Sequence, residues 1–305
     1  MKDFKQIKLS NDVVLPSLGY GSAIVLRYMY NNCSFKTSAK YWIRNIIKDR
    51  RQFKKDKSLP KIIEKAMELN CTLFDTSRAY AGSEYVLGKI LKKYNRDKYF
   101  ICTKLCNSDQ KEGNVRAALE KSLRQLNLEY VDLYLIHWPQ TGTWLKCWKQ
   151  MEEIYKEGLC KAIGVCNCNI HHLEELKQVA EIMPMVNQFE CHPLFTQYEL
   201  RQYCKENYIQ VMAYTPTARM DERLRNTVLM DLSRKYKKSL AQIVIRWHIQ
   251  NGNIPIVNTS NQEHLRENID VFNFRLTQEE MNLIDGININ SRLRYDPDNC
   301  DFSKL

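Results

Sequence analysis

Eight short runs rich in β-branched and aromatic residues recur along this chain, at 18–23, 72–75, 99–104, 131–137, 161–166, 185–190, 210–214 and 254–258. Each is followed by a stretch whose apolar residues fall three and four apart, the mark of a helix with one buried face. Segment 59–70 carries Ile62, Ile63, Ala66 and Leu69; 84–94 carries Val86, Leu87, Ile90 and Leu91; 115–126 carries Ala118, Leu119, Leu123 and Leu126. Similar spacing recurs at 144–157, 170–180, 198–207, 228–250 (two helices by its length) and 262–271. Ser239 with Gln242 and Thr277 with Glu280 have capping-box spacing, so each pair opens a helix. Eight strands alternating with helices, spaced about 20–50 residues apart, predict a (β/α)8 TIM barrel. An open doubly wound sheet is the alternative, disfavoured because no run ends in the Gly-rich phosphate loop of such folds. Residues 7–14 read as a hairpin turning at Asn11 and Asp12, outside the barrel count. With no linker and no second core in view, the expectation is one domain over 1–305.

Four polar residues interrupt this scheme. Asp75, Lys104 and His137 each end an apolar run, and Tyr80 lies five residues past the first of them. A strand buried in a parallel sheet has no use for a charge, so such residues belong at strand mouths, where loops begin. A carboxylate, a phenol, an amine and an imidazole gathered there would make a proton-transfer centre around Tyr80. Taken singly, each has a plainer reading: a structural ion pair, a satisfied core imidazole, a loop aromatic.

Composition narrows the class. The chain is 44% hydrophobic and 27% charged, the balance of a globular protein. No run approaches the roughly 20 apolar residues that span a bilayer. The first ten residues are too polar for a secretory signal. Eleven scattered cysteines without paired CxxC spacing suggest reduced thiols, no metal site and a cytoplasmic location. The net charge of +11 is local: residues 24–58 hold ten Lys and Arg against two Asp. Within that segment Ser38 could cap a helix through Tyr41, Trp42, Ile43, Ile46 and Ile47 to about Phe53, apolar on one side and basic on the other.

In order along the chain stand Leu15-Pro-x-Leu-Gly-x-Gly21, Phe74-Asp-Thr76 with Tyr80 and Ser83-Glu84, Thr103-Lys104, and Asp132 through His137-Trp138-Pro139. Then follow Ala162 through Asn167, Val186 through Pro193, Ala213-Tyr-Thr-Pro216 and Glu263 through Asn268. Eight such blocks in register resemble the aldo-keto reductase family, which is built on the barrel inferred above. The resemblance implies reduction of an aldehyde or ketone by hydride from a nicotinamide cofactor, with Tyr80 as proton donor. Lys104 would lower the Tyr80 pKa by roughly 1–3 units, Asp75 would hold Lys104, and His137 would orient the substrate oxygen. It further places Asn167 and Gln188 on the nicotinamide amide, Tyr214 on its ring, Glu267 and Asn268 at the adenine, and Ser22, Thr259, Ser260 and His264 along the rest of the cofactor. Trp138 would wall the substrate pocket.

The departures matter. Asn258 and His264 stand where many relatives carry the Lys and Arg that grip a 2′-phosphate, so NADP(H) is favoured only slightly over NAD(H). Cys166 replaces a Ser, and Ala23 a Trp. The basic insertion at 24–58 lies between the first strand and first helix, on the catalytic face of such a barrel, and would be a lid for anionic carbonyl substrates or a plain surface helix. A small-molecule carbonyl partner is expected, with no nucleic acid and no membrane. The competing function is a cofactor-binding regulatory subunit with little or no turnover.

Overall fold

Strands in this chain are short and apolar on both faces, so they need cover on both sides, and a closed barrel ringed by helices supplies it. The computed structural model describes residues 6–23, 50–225 and 227–302. A two-stranded antiparallel sheet, β1 (Gln6–Lys8) and β2 (Val14–Pro16), comes first, with Ile7 opposite Leu15. Its turn includes Asp12 in the left-handed region at φ 68°. The barrel follows: β3 (Gly19–Gly21), β4 (Leu73–Asp75), β5 (Phe100–Leu105), β6 (Val131–Ile136), β7 (Cys160–Cys166), β8 (Val186–Glu190), β9 (Gln210–Tyr214) and β10 (Ile254–Val257). All pairings are parallel, and β10 closes on β3 through Ile256 opposite Gly19. Closure rules out the open sheet. The hairpin and the eight-strand count stand as expected.

Why these residues form the ring is visible in β6, where Val, Asp, Leu, Tyr, Leu and Ile are all buried. Each barrel strand presents side chains inward to the packed lumen and outward to a helix, so neither face is free for a solvated residue. The Asp132 carboxylate is tolerated there because it accepts from Ile101 N at 2.8 Å and pairs with Arg96 at 2.6 Å.

The helices obey the period that announced them. Val115–Leu126 buries Val115, Ala118, Leu119, Ser122, Leu123 and Leu126, is capped by Asn114 accepting from Ala117 N, and ends on Asn127 in the left-handed region. It lies so close to Ser83–Leu91 that a Cβ on Gly88 would stand 2.5 Å from Leu126 O. Segment 228–250 is two helices, Val228–Tyr236 and Leu240–Gln250, broken at left-handed Lys237. Both capping boxes form.

One boundary moved. The helix expected from residue 59 starts at Arg50 and runs to Glu68 with Pro60 inside it. Proline suits a first turn, which makes a start near Leu59 look natural from sequence. Residues 24–49, and with them most of the expected basic helix and lid, lie outside the described residues. Among the described residues no helix is long and apolar enough to cross a membrane.

Candidate active site

Parallel strands in a barrel all end on the same rim, so residues far apart in sequence meet there. Asp75 is the last residue of β4, Lys104 the fifth of β5, and His137 follows β6 directly. The Lys104 ammonium is fully buried and donates to Asp75 Oδ1 at 2.6 Å and to the carbonyl of Thr76 at 2.8 Å. Burial alone would lower its pKa, but the Asp75 carboxylate and then Tyr80 raise it, so it stays charged. Its nitrogen sits 5.1 Å from the centre of the Tyr80 ring. The quartet inferred from three strand ends and one loop residue is one cluster.

Lys104 pulls the Tyr80 pKa down as expected, but the net shift is upward. Tyr80 as a whole is half-buried, yet its hydroxyl lies deep enough that burial raises the phenol to about 12, with Lys104 pulling down and Asp75 pushing up. Asp75 offsets part of the ammonium's pull, so desolvation wins. Tyr80 is therefore a fully protonated acid at neutral pH. Among the described residues nothing accepts from or donates to its hydroxyl.

His137 meets Tyr80 edge to face, ring centres 5.7 Å apart. Burial, followed by Lys104, lowers its pKa to about 3, so the imidazole is neutral. Its Nδ1 lies 3.3 Å from Ser77 Oγ, and its carbonyl accepts from Asn167 Nδ2 at 3.0 Å. Asn167 holds a left-handed backbone, φ 61°, just past β7, and its Oδ1 accepts from the Tyr214 hydroxyl at 2.7 Å. Gln188 in β8 donates to Asp75 Oδ1 at 2.8 Å. The three residues expected at a nicotinamide are thus wired into the quartet: two carboxamides and a ring, just past β7, within β8 and at the end of β9, a donor set that fits a planar amide-bearing ring.

A second group stands on the β10 side of the rim. Thr259, Ser260, His264, Glu267 and Asn268 lie on the loop after β10 and on the helix Gln262–Ile269, with Ser260, His264 and Glu267 exposed. Asn261 caps that helix by accepting from Glu263 N at 2.9 Å. The loop is tied to β3, since Tyr20 donates to Thr259 O at 3.0 Å and Asn258 to Gly21 O at 2.5 Å. Asn258 is thereby occupied structurally, and Arg266, the compensating cation in view, sits 3.6 Å from Glu263. Ser22, expected along the cofactor, lies directly after the end of β3. It is fully buried, donates to Asp75 O at 2.9 Å and lies 2.7 Å from Ser83 Oγ, which makes it a tie between β3 and β4.

Trp138 is buried beside His137, and its ring packs 6.4 Å from Phe302. That contact was not legible beforehand. The last residues cross the rim because the buried Glu190 carboxylate accepts from Leu293 N at 2.7 Å and Arg294 N at 3.0 Å. Asp298 accepts from Asn169 Nδ2 at 2.8 Å, and His171 and His172 flank it. Ser77 was also missed, although a polar residue two past Asp75 on the same rim was the available signal.

Comparisons with known proteins agree with the geometry. The model of the aldo/keto reductase family matches residues 46–289. Glyoxal reductase of Bacillus subtilis is 44% identical over 225 residues, covering 73% of this chain and 81% of its own. Methylglyoxal reductase DkgA of Escherichia coli K12 is 42% identical over 241 residues, covering 77% and 86%. The crystal structure of a Bombyx mori aldo-keto reductase in complex with NADP superposes with a TM-score of 0.82 at 28% identity, covering 98% of this chain and 97% of that one. A closed eight-stranded barrel, a buried Lys–Asp pair beneath a tyrosine, and a family match across most of the length make one statement: the chain belongs to the aldo/keto reductase family.

Proposed function

We propose that this chain reduces small aldehydes and ketones to alcohols, with Tyr80 as the proton donor and the rim of 1–305, acting as one domain, as the active site. It is a nicotinamide-dependent oxidoreductase with NADP(H) as its cofactor, in keeping with the NADP complex of its structural relative. The reductases of glyoxal and methylglyoxal among its relatives point to small dicarbonyls as the first substrates to try. A regulatory subunit without turnover finds no support among relatives named as reductases.

The observation that carries the reading is the buried Lys104–Asp75 pair, with the Lys104 nitrogen 5.1 Å from the centre of the Tyr80 ring. When bound, the cofactor supplies a hydride to the carbonyl carbon, and the oxygen gains negative charge as it does. Asn167, Gln188 and Tyr214 would hold the nicotinamide; Thr259, Ser260, His264, Glu267 and Asn268 would follow the adenosine end. A neutral His137 can donate one hydrogen bond to the substrate oxygen and fix its approach. Tyr80 gives its proton to that oxygen, and the Lys104 ammonium stabilises the phenolate left behind. Trp138 and Phe302 wall the side where the substrate enters.

The test is turnover of glyoxal or methylglyoxal with NADPH, followed by loss of reduced-cofactor absorbance. Tyr80→Phe should lower kcat by about 10²–10⁴-fold, the usual worth of a general acid, with NADPH affinity kept. Turnover that survives the substitution sinks the assignment. Anionic carbonyls are a finer proposal, motivated by the cations of 24–58. Deleting residues 30–56 should then raise KM for a carboxylated aldehyde and not for a neutral one; an equal effect on both would count against it.

A further inference from the structure

Ser77 occupies the first loop position beyond the buried Asp75–Thr76 pair and is itself wholly buried. Its hydroxyl has two neighbours among the described residues: it accepts from Ala79 N at 3.1 Å and lies 3.3 Å from His137 Nδ1. Those two contacts decide where the protons are. A serine hydroxyl carries one hydrogen, and an amide N–H can only donate. The Ala79 contact therefore uses a lone pair of Oγ and leaves the hydroxyl proton needing an acceptor. Among the described residues the His137 Nδ1 lone pair is the one acceptor in reach. Were Nδ1 protonated, two donors would point at Oγ and its own hydrogen would be buried without a partner, a cost of roughly 1–3 kcal/mol by the general worth of such groups.

We infer that Ser77 is a positioning residue that donates its hydroxyl proton to His137 Nδ1 and so holds the neutral imidazole as the tautomer protonated on Nε2. This rests on the reading of His137 as donor to the substrate oxygen. A neutral imidazole has one N–H, and only one of its two tautomers can serve that donor role while Nδ1 faces Ser77. The backbone supports the same orientation from two sides. His137 N donates to Leu105 O at 3.1 Å, and its carbonyl accepts from Asn167 Nδ2, so the ring hangs from a fixed stem. Ser77 then sets the remaining freedom, which is the location of one proton. The Ala79 amide contributes by engaging one lone pair of Oγ and orienting the hydroxyl, whose hydrogen then points at the ring.

The experiment is a long-range 1H–15N correlation spectrum of the ligand-free protein at neutral pH, with His137 assigned by the signals lost in His137→Gln. Wild type should show an unprotonated, hydrogen-bonded Nδ1 and a protonated Nε2. Ser77→Ala, smaller and without a hydroxyl, should move both nitrogens toward the average of the two tautomers. In the same variant kcat should fall roughly tenfold, the kinetic equivalent of one neutral hydrogen bond, with the Kd for NADPH unchanged. Ser77→Thr, which restores the hydroxyl, should recover the wild-type signals. A protonated Nδ1 in wild type, or an unaltered His137 signature in Ser77→Ala, overturns the inference. An altered signature with undiminished kcat overturns the positioning role. The spectrum needs no turnover, so it separates this inference from the function proposed above, which fails if wild type reduces no carbonyl.

Discussion

A charge taken wholly out of water is tolerated only while its partner stays. Lys104 has no exposure, and Asp75 is its counter-ion at 2.6 Å. Asp75→Asn should leave an uncompensated buried ammonium and cost about 3–5 kcal/mol in urea unfolding; a loss below about 1 kcal/mol would show that the pair is not ionised. The pair was legible in sequence because a charge at the end of a buried strand needs a partner. The state of Tyr80 was not, since its pKa depends on how far burial outweighs a cation already neutralised, and depth cannot be read from spacing. The hydrogen bonds of Ser22 were hidden for a related reason: a serine at a strand end looks the same whether it faces a ligand or a neighbouring strand.

At the scale of elements, spacing alone located most helices, because a buried face imposes its period on the residues that make it. It could not show how near two helices come. Ser83–Leu91 and Val115–Leu126 touch backbone to side at Gly88. Gly88→Ala would force carbonyls of the neighbouring helix to shift, since the obstructing atoms are Leu126 O and Gln125 O and neither can rotate away. The expected cost is about 1–3 kcal/mol, the usual range for overpacking, seen as a lower midpoint in denaturant; an unchanged midpoint would mean the helices can separate freely. The helical turns before residue 59 were missed because Pro60 made Leu59 look like the start, proline being suited to a first turn.

For the whole molecule, buried histidines set the response to acid. His137 and His248 are lowered to about 3 and His172 to about 4, each chiefly by burial. Unfolded histidine titrates near 6.5, so below that pH the unfolded chain binds protons the folded one refuses. Their contribution to stability is complete above about 6.5 and declines as pH falls toward 3. For the fully buried His248 the loss by pH 5 is about 2 kcal/mol. Glu84, raised by burial, works the opposite way and softens the fall. Calorimetry from pH 7 to 5 should show a falling Tm, with a flatter decline in His248→Asn; a flat wild-type curve would contradict the buried neutral state. The rim crossing by the last residues has a consequence of another kind. Trp138 belongs to the barrel, but the ring packed on it, Phe302, belongs to the C-terminal segment, which is held by Glu190 at the end of β8 and, through its own Asp298, by Asn169 after β7. Phe302→Ala should raise KM for a bulky aldehyde roughly fivefold, about the worth of one aromatic pair, and leave glyoxal unaffected. On the proposed reading substrate choice and catalytic power would then be inherited from different stretches of polypeptide, and exchanging one terminal segment would retarget the enzyme with its chemistry left whole.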